Sequence, residues 1–147
     1  MNKTELTANL VLAGGIILFI TGVGHICLGV PQFNEAVSQG LINLLPLNQI
    51  DFESQSLGRE EVKLVWIVFG LDMNIFGLIT MFLTSELKKG KRLAWNIGIV
   101  IGLFYLIVGL TTMFYFKELH PAVVSFPIAG LIISIPLLVY RHEFNMI

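Results

Sequence analysis

Four long apolar segments constrain this chain more than any other feature of its sequence. They cover approximately residues 10–30, 62–84, 93–116 and 121–140, and each reaches the roughly 20 residues that a helix needs to cross a bilayer. Because backbone amides and carbonyls cannot stay unpaired in hydrocarbon, each segment is predicted to be an α-helix. The sequence therefore predicts an all-α fold, an integral membrane four-helix bundle that forms a single transmembrane domain over residues 1–147.

The composition supports a membrane protein and excludes several other classes. Apolar residues make up 55% of the chain and charged residues only 13%, whereas soluble domains carry about 25% charged residues. The net charge is −1 and no basic stripe is present, so nucleic acid is not expected as a partner. The single cysteine, Cys27, cannot form an internal disulfide, which argues against the thiol–disulfide membrane oxidoreductases.

The three connections between the segments differ in length. Residues 85–92 and 117–120 form short turns, which make helices 2, 3 and 4 antiparallel neighbours. Residues 31–61 form a long outer loop between helices 1 and 2. Apolar residues recur within this loop at helical spacing and predict a short surface helix; they are Val37, Leu41, Leu44 and Leu45. Two roles stay open for it, a lid over a cavity among the helices and a cover without any gating role.

The distribution of lysine and arginine predicts the orientation in the membrane. Six lie in the N-terminal segment, the second connection and the C-terminal segment: Lys3, Lys88, Lys89, Lys91, Arg92 and Arg141. The opposite side carries three: Arg59, Lys63 and Lys117. The positive-inside rule then places both termini in the cytoplasm (N-in/C-in), and we expect a prokaryotic plasma (inner) membrane.

Glycines recur two turns apart in the first three helices. The pairs are Gly22 and Gly29, Gly70 and Gly77, and Gly102 and Gly109, and Gly98 adds a GxxxG step to helix 3. Residues seven apart share one helix face, and small residues let helices approach closely in lipid. These seven glycines are predicted to be helix-packing residues, either within the bundle or against a second copy of the chain.

Four polar side chains interrupt the apolar segments: His25, Asp72, Asn74 and Tyr105. A carboxylate near a bilayer centre costs roughly 2.5–3.5 kcal/mol, so Asp72 requires a partner group, a proton or a water-filled cavity. His25 and Asp72 lie at similar depths, and a hydrogen bond between them is expected if helices 1 and 2 are neighbours. Tyr105 could complete a network with Asp72 or hydrate a small cavity. Asn74 belongs to the face of the helix 2 glycines, about 200° from Asp72.

Two interpretations of these four residues stay open. They form either a polar clasp that fixes helix register or a site that binds a ligand or a proton. A metal site is not predicted, because His25 has no second histidine or thiolate at helical spacing and Cys27 points about 200° away. Bis-histidine haem would need His120, well above His25, so no cofactor is predicted. No residue is assigned as catalytic.

The layout resembles that of the DoxX-like group of small four-helix membrane proteins. The first helix ends in the glycine-rich residues 22–29 and is followed by a long loop. An acidic pair at residues 60–61 precedes a second helix that reads FGLD and then FGL, and a basic turn leads into a glycine-bearing third helix. The resemblance covers nearly the whole chain. Members of the group are associated with membrane redox complexes and with assembly, so it implies an accessory subunit. It assigns no role to His25 or Asp72.

Three functions are therefore considered. The first is a non-catalytic accessory or assembly subunit of a larger membrane complex, with the lipid bilayer and another membrane protein or a second copy as partners. The second is a small-molecule, lipid-binding or proton-coupled transport protein with its polar site at Asp72 and His25. The third, a membrane enzyme, would rely on His25, Asp72 and Tyr105 as its only acid–base groups. The absence of catalytic motifs favours the first.

Overall fold

The computed structural model describes residues 2–29, 31, 52–116 and 121–144. Within these ranges the protein contains α-helices and no β-strand, which confirms the all-helical prediction. The four helices are α1 (Lys3–Gly24), α2 (Phe52–Lys88), α3 (Arg92–Phe116) and α4 (Pro121–Val139). A π-helical turn, His25–Gly29, continues α1, and a 3₁₀ turn, Arg141–Phe144, follows α4.

Three of the helices are long and apolar enough to cross a membrane. The spanning stretches are Lys3–Gly29, Lys63–Lys88 and Arg92–Phe114. The described apolar part of α4, Val123–Val139, is shorter. Large apolar side chains remain exposed on the outer faces of these helices, among them Ile20, Phe82 and Phe114. Such a surface suits hydrocarbon better than water, so the structure supports the prediction of a membrane protein.

Two helices begin earlier than hydropathy predicts. The first begins at Lys3 because the side chain of Asn2 accepts a hydrogen bond from the Thr4 amide at 3.3 Å and caps the helix. The second begins at Phe52, so the last part of the stretch expected to be loop, residues 52–61, is helical. A hydropathy profile detects only the apolar part of a helix and does not show a polar extension of it. The predicted surface helix around residues 37–45 lies outside the described residues.

A Schellman motif ends α2 and starts the turn to α3. Gly90 has φ +71°, in the left-handed region that glycine adopts without steric cost. Its amide donates to the Leu87 carbonyl at 2.9 Å, and the Lys91 amide donates to the Glu86 carbonyl at 3.1 Å. These two bonds satisfy carbonyls that the end of the helix would leave unpaired. The turn is therefore fixed by backbone geometry.

The helices form two closely packed pairs. The contact between α1 and α2 and the contact between α3 and α4 are the most extensive. The contact between α1 and α4 joins the two pairs, and the contact between α2 and α3 is the smallest of the four. Leu18, Met73, Tyr105 and Ile133, one from each helix, are fully buried in the shared core.

The two ends of the described chain meet at one end of the bundle. Lys3 Nζ lies 3.0 Å from Glu143 Oε1, which forms a salt bridge between the start of α1 and the 3₁₀ turn. The turn between α2 and α3 is at the same end, since a Cβ placed on Gly90 would lie 3.4 Å from the Glu143 carbonyl oxygen. Three segments that are distant in sequence therefore share one end.

Candidate functional site

Asp72 and Tyr105 form a hydrogen bond between α2 and α3. The Tyr105 hydroxyl donates to Oδ2 of Asp72 at 2.9 Å. Tyr105 is fully buried, and its ring makes edge contacts with Phe76 and Phe104 at centroid distances of 6.1 and 5.2 Å. The structure thus gives the Asp72 carboxyl group a neutral donor on the neighbouring helix and surrounds that donor with aromatic rings.

The structure does not bring His25 to Asp72. Gly70 and Gly77 face α1, since a Cβ on Gly70 would lie 3.2 Å from the Gly22 carbonyl oxygen and one on Gly77 would lie 2.8 Å from the Phe19 amide nitrogen. Asp72 is placed roughly opposite to Asn74 on α2 and is directed to α3 instead. The expected hydrogen bond between His25 and Asp72 is therefore replaced by the bond from Tyr105.

His25 lies in an aromatic environment at the interface of α1 and α2. Its ring stacks on Trp66 with a centroid distance of 4.4 Å and an interplanar angle of 8°, and Phe69 makes an edge contact at 5.7 Å. The side chain is 9% exposed, and its Nε2 atom has no hydrogen-bond partner within the part of the chain that the structure describes. His25 also opens the π-helical turn, and such turns are frequent at functional sites.

Asn74 packs against Gly22 at the same interface. A Cβ on Gly22 would lie 2.5 Å from Asn74 Oδ1 and 2.7 Å from the Gly70 carbonyl oxygen. Only glycine leaves room there for the amide and for the backbone of α2. Asn74 Oδ1 is buried and makes no hydrogen bond to any described residue. The Asn74 amide therefore occupies a helix-packing position.

The remaining predicted glycines also face neighbouring helices of the same chain. A Cβ on Gly29 would lie 2.5 Å from Trp66 Nε1, so this glycine borders the aromatic site around His25. The other three face α4 from α3, with nearest groups Leu137 for Gly98, Ser134 for Gly102 and Pro127 for Gly109. In contrast, a Cβ on Gly24 would meet no heavy atom of the described residues within 4 Å.

Trp66, which stacks on His25, is the residue of this region that the sequence analysis did not single out. A signal for it was present in the helical spacing. Trp66 lies four residues before Gly70 and eight before Asn74, so all three share the face of α2 that meets α1. A bulky aromatic on a glycine-bearing face predicts a partner that fills the space beside it, and His25 is that partner.

The two polar regions differ in their chemistry. At the α2–α3 interface a carboxyl group and a phenol satisfy each other. At the α1–α2 interface an imidazole nitrogen and an amide oxygen are buried without hydrogen-bond partners among the described residues. Those residues include no group of three or more His, Cys, Asp or Glu side chains arranged for a metal ion.

Comparisons with protein-family models, curated proteins and solved structures gave no match to this chain. The resemblance to the DoxX-like group therefore stays a prediction.

Proposed function

We propose that this protein is an integral membrane four-helix bundle that serves as a non-catalytic accessory or assembly subunit of a larger membrane complex. One observation carries the proposal. The predicted intramembrane carboxyl site is occupied by a contact between the protein's own helices, the hydrogen bond from Tyr105 to Asp72. A carboxyl group bonded in this way fixes the packing of two helices.

The energetic argument favours a clasp at this position. Asp72 lies at the α2–α3 interface, and this contact is smaller than those of α1 with α2, α3 with α4 and α1 with α4. Apolar packing therefore specifies the relative position of α2 and α3 less tightly. A hydrogen bond between membrane helices contributes about 0.6–2 kcal/mol. That contribution is enough to favour one register of α3 against α2, which is the role of a scaffold rather than of a transport site.

The glycine faces and the outer surface support the same role. The seven predicted glycines contact helices of their own chain, which leaves the apolar outer side chains for lipid and for a neighbouring membrane protein. On α1 this outer surface includes Ile20, Val23 and Leu28, which are 40–64% exposed. Cys27 is also exposed on this helix. A partner helix that packs on this side would meet Gly24, which is open to it.

The proposed orientation places both termini in the cytoplasm. The salt bridge between Lys3 and Glu143 joins the two ends of the chain, and the cations of the turn at residues 88–92 lie at the same end. The positive-inside rule assigns this end to the cytoplasm. A reporter enzyme that is active only in the cytoplasm, fused after residue 147, should be active. An active periplasmic reporter at the same position would contradict the orientation.

Native mass spectrometry after gentle solubilisation tests the accessory-subunit proposal. We expect a second membrane protein at fixed stoichiometry, and we expect Asp72→Asn to retain it because the amide oxygen still accepts from Tyr105. A photocrosslinker attached to Cys27, the single cysteine of the chain, should join the same partner, with Cys27→Ser as the control. A lone chain that crosslinks only to lipid would refute the proposal.

His25 supports a second candidate function, the binding of a small molecule or a proton. The supporting observation is its buried Nε2 atom, which has no hydrogen-bond partner among the described residues, at the first residue of the π-helical turn. In the solubilised protein, this function predicts a bound molecule that is lost in His25→Phe, which keeps the ring but removes Nε2. Asp72→Asn should keep the molecule. If both variants retain it, it binds elsewhere.

A further inference from the structure

The bundle end that carries the salt bridge between Lys3 and Glu143 also gathers most of the cations of the chain. We propose that this basic end, defined as Lys88, Lys91, Arg92 and Arg141, binds the phosphate group of anionic phospholipids. The inference rests on the proposed membrane location and adds a specific lipid class as ligand.

The fold brings the basic end together from two distant segments. Lys88 ends α2, Lys91 lies in the following turn and Arg92 begins α3, whereas Arg141 follows α4. The indole Nε1 of Trp95 donates to the Leu137 carbonyl at 2.7 Å and ties the start of α3 to the end of α4. The turn also lies close to the 3₁₀ segment, since a Cβ placed on Gly90 would be 3.4 Å from the Glu143 carbonyl oxygen.

Two of the three carboxylates at this end already have partners. Glu143 pairs with Lys3 at 3.0 Å, and Glu86 pairs with Lys89. Glu5, in the first turn of α1, is the third. The four cations of the basic end are exposed, and none forms a salt bridge within the described ranges. Across residues 2–10, 85–92 and 140–144, six cations face three carboxylates, so this end carries a net charge of +3.

An exposed apolar surface begins directly next to these cations. Leu93 follows Arg92 and is 70% exposed, and Val139 precedes Arg141 by two residues and is 62% exposed. A phospholipid is complementary to this arrangement, because its charged phosphate is directly followed by apolar acyl chains. Guanidinium groups bind phosphate through paired hydrogen bonds, and the acyl chains would lie along the apolar helix faces. Nucleic acid offers no acyl chains and would leave this surface uncovered.

Lipid binding by the full-length protein in detergent tests the proposal through native mass spectrometry. The probes are phosphatidylglycerol and phosphatidylcholine with the same acyl chains. We expect phosphatidylglycerol to bind more tightly, and each of Arg92→Gln and Arg141→Gln to weaken it by about fivefold, the effect of about one cationic contact near a charged surface. Binding of phosphatidylcholine should not change. Lys63→Gln, at the other end of the spanning stretch Lys63–Lys88, is the control and should bind like the wild type.

Circular dichroism confirms that each variant is folded before its affinity is compared. Equal affinity for the two lipids, or an equal loss in Lys63→Gln, would overturn the proposal. The proposal would also be overturned if inorganic phosphate bound at millimolar concentration and phosphatidylglycerol did not displace it. That result would identify a site for soluble phosphate. Alkaline carbonate extraction separates the two proposals: release from membranes refutes the membrane location itself, whereas retention without lipid preference refutes only the lipid site.

Discussion

The Tyr105 hydroxyl and Oδ2 of Asp72 lie 2.9 Å apart and join α3 to α2 by a hydrogen bond. These two helices are connected by a short turn, yet their contact is smaller than those of α1 with α2, α3 with α4 and α1 with α4. A polar bond at such a small interface contributes more to the choice of register than the same bond would at a tight glycine interface.

Removing the Tyr105 hydroxyl should destabilise the bundle by about 0.6–2 kcal/mol, the range for polar contacts between membrane helices. In Tyr105→Phe the carboxyl group of Asp72 loses its donor, while the ring contacts with Phe76 and Phe104 remain. SDS-induced unfolding in mild detergent, followed by tryptophan fluorescence, measures the change. Tyr140→Phe is the control because Tyr140 lies at the end of α4, outside the core.

The stability of the Asp72→Asn variant distinguishes two roles of Asp72, a neutral hydrogen-bonded clasp and an ion pair. The amide oxygen can still accept from Tyr105, so we expect stability within about 0.5 kcal/mol of the wild type, as for substitutions that keep their contacts. The same unfolding experiment applies. Loss of folded protein in this variant would contradict the clasp and would indicate that a negative charge at residue 72 is essential.

Gly22→Ala and Gly24→Ala should differ strongly although they lie two residues apart. A Cβ at residue 22 would lie 2.7 Å from the Gly70 carbonyl oxygen, whereas one at residue 24 would meet no heavy atom within 4 Å in the part of the chain that the structure describes. We expect Gly22→Ala to cost about 1–3 kcal/mol through overpacking and Gly24→Ala to be neutral or slightly stabilising. Comparable losses in both variants would mean that Gly24 also faces a helix.

Gly90→Ala should destabilise the protein by about 1–2 kcal/mol because alanine is strained at φ +71°. Asparagine adopts this conformation more readily, so Gly90→Asn should recover part of the loss. Thermal denaturation followed by circular dichroism compares the two variants. If neither variant differs from the wild type in stability, the Schellman motif does not determine the turn.

His25→Phe should be at least as stable as the wild type. The phenyl ring keeps the stacking on Trp66 and removes the buried Nε2 atom, which otherwise carries a desolvation cost of about 1–3 kcal/mol. His25→Ala also loses the stacking and leaves a cavity, so it should be destabilised by about 2 kcal/mol or more. A large loss in His25→Phe as well would show that Nε2 is bonded in the native membrane, which would favour the second candidate function.

The number of helices and their approximate positions could be predicted because hydrophobic length is a local property of the sequence. The start of α2 at Phe52 could not, since the residues that extend it are polar and resemble a loop in any hydropathy profile. The start of α1 could have been predicted more accurately from capping preferences, because Asn2 precedes the helix and its side chain accepts a hydrogen bond from the Thr4 amide.

The four polar residues of the apolar segments are visible in the sequence, and their role as a site stays a prediction. Only part of their pairing could be predicted. Helical periodicity gives the direction of each side chain around its own axis, whereas the choice of partner depends on how neighbouring helices are rotated. The opposite directions of Asp72 and Asn74 already implied that the glycine face of α2 and Asp72 meet different helices. With that face on α1, Tyr105 rather than His25 is the partner of Asp72.

The division of the bundle into two closely packed helix pairs, α1 with α2 and α3 with α4, makes the halves of the protein separable modules. A chain interrupted at Gly90 would leave each fragment with one complete pair. Because the remaining contact between the fragments runs mainly through α1 and α4, two co-expressed halves should reassociate by docking preformed units in the bilayer. The turn at Gly90 would then serve to raise the effective concentration of one module around the other.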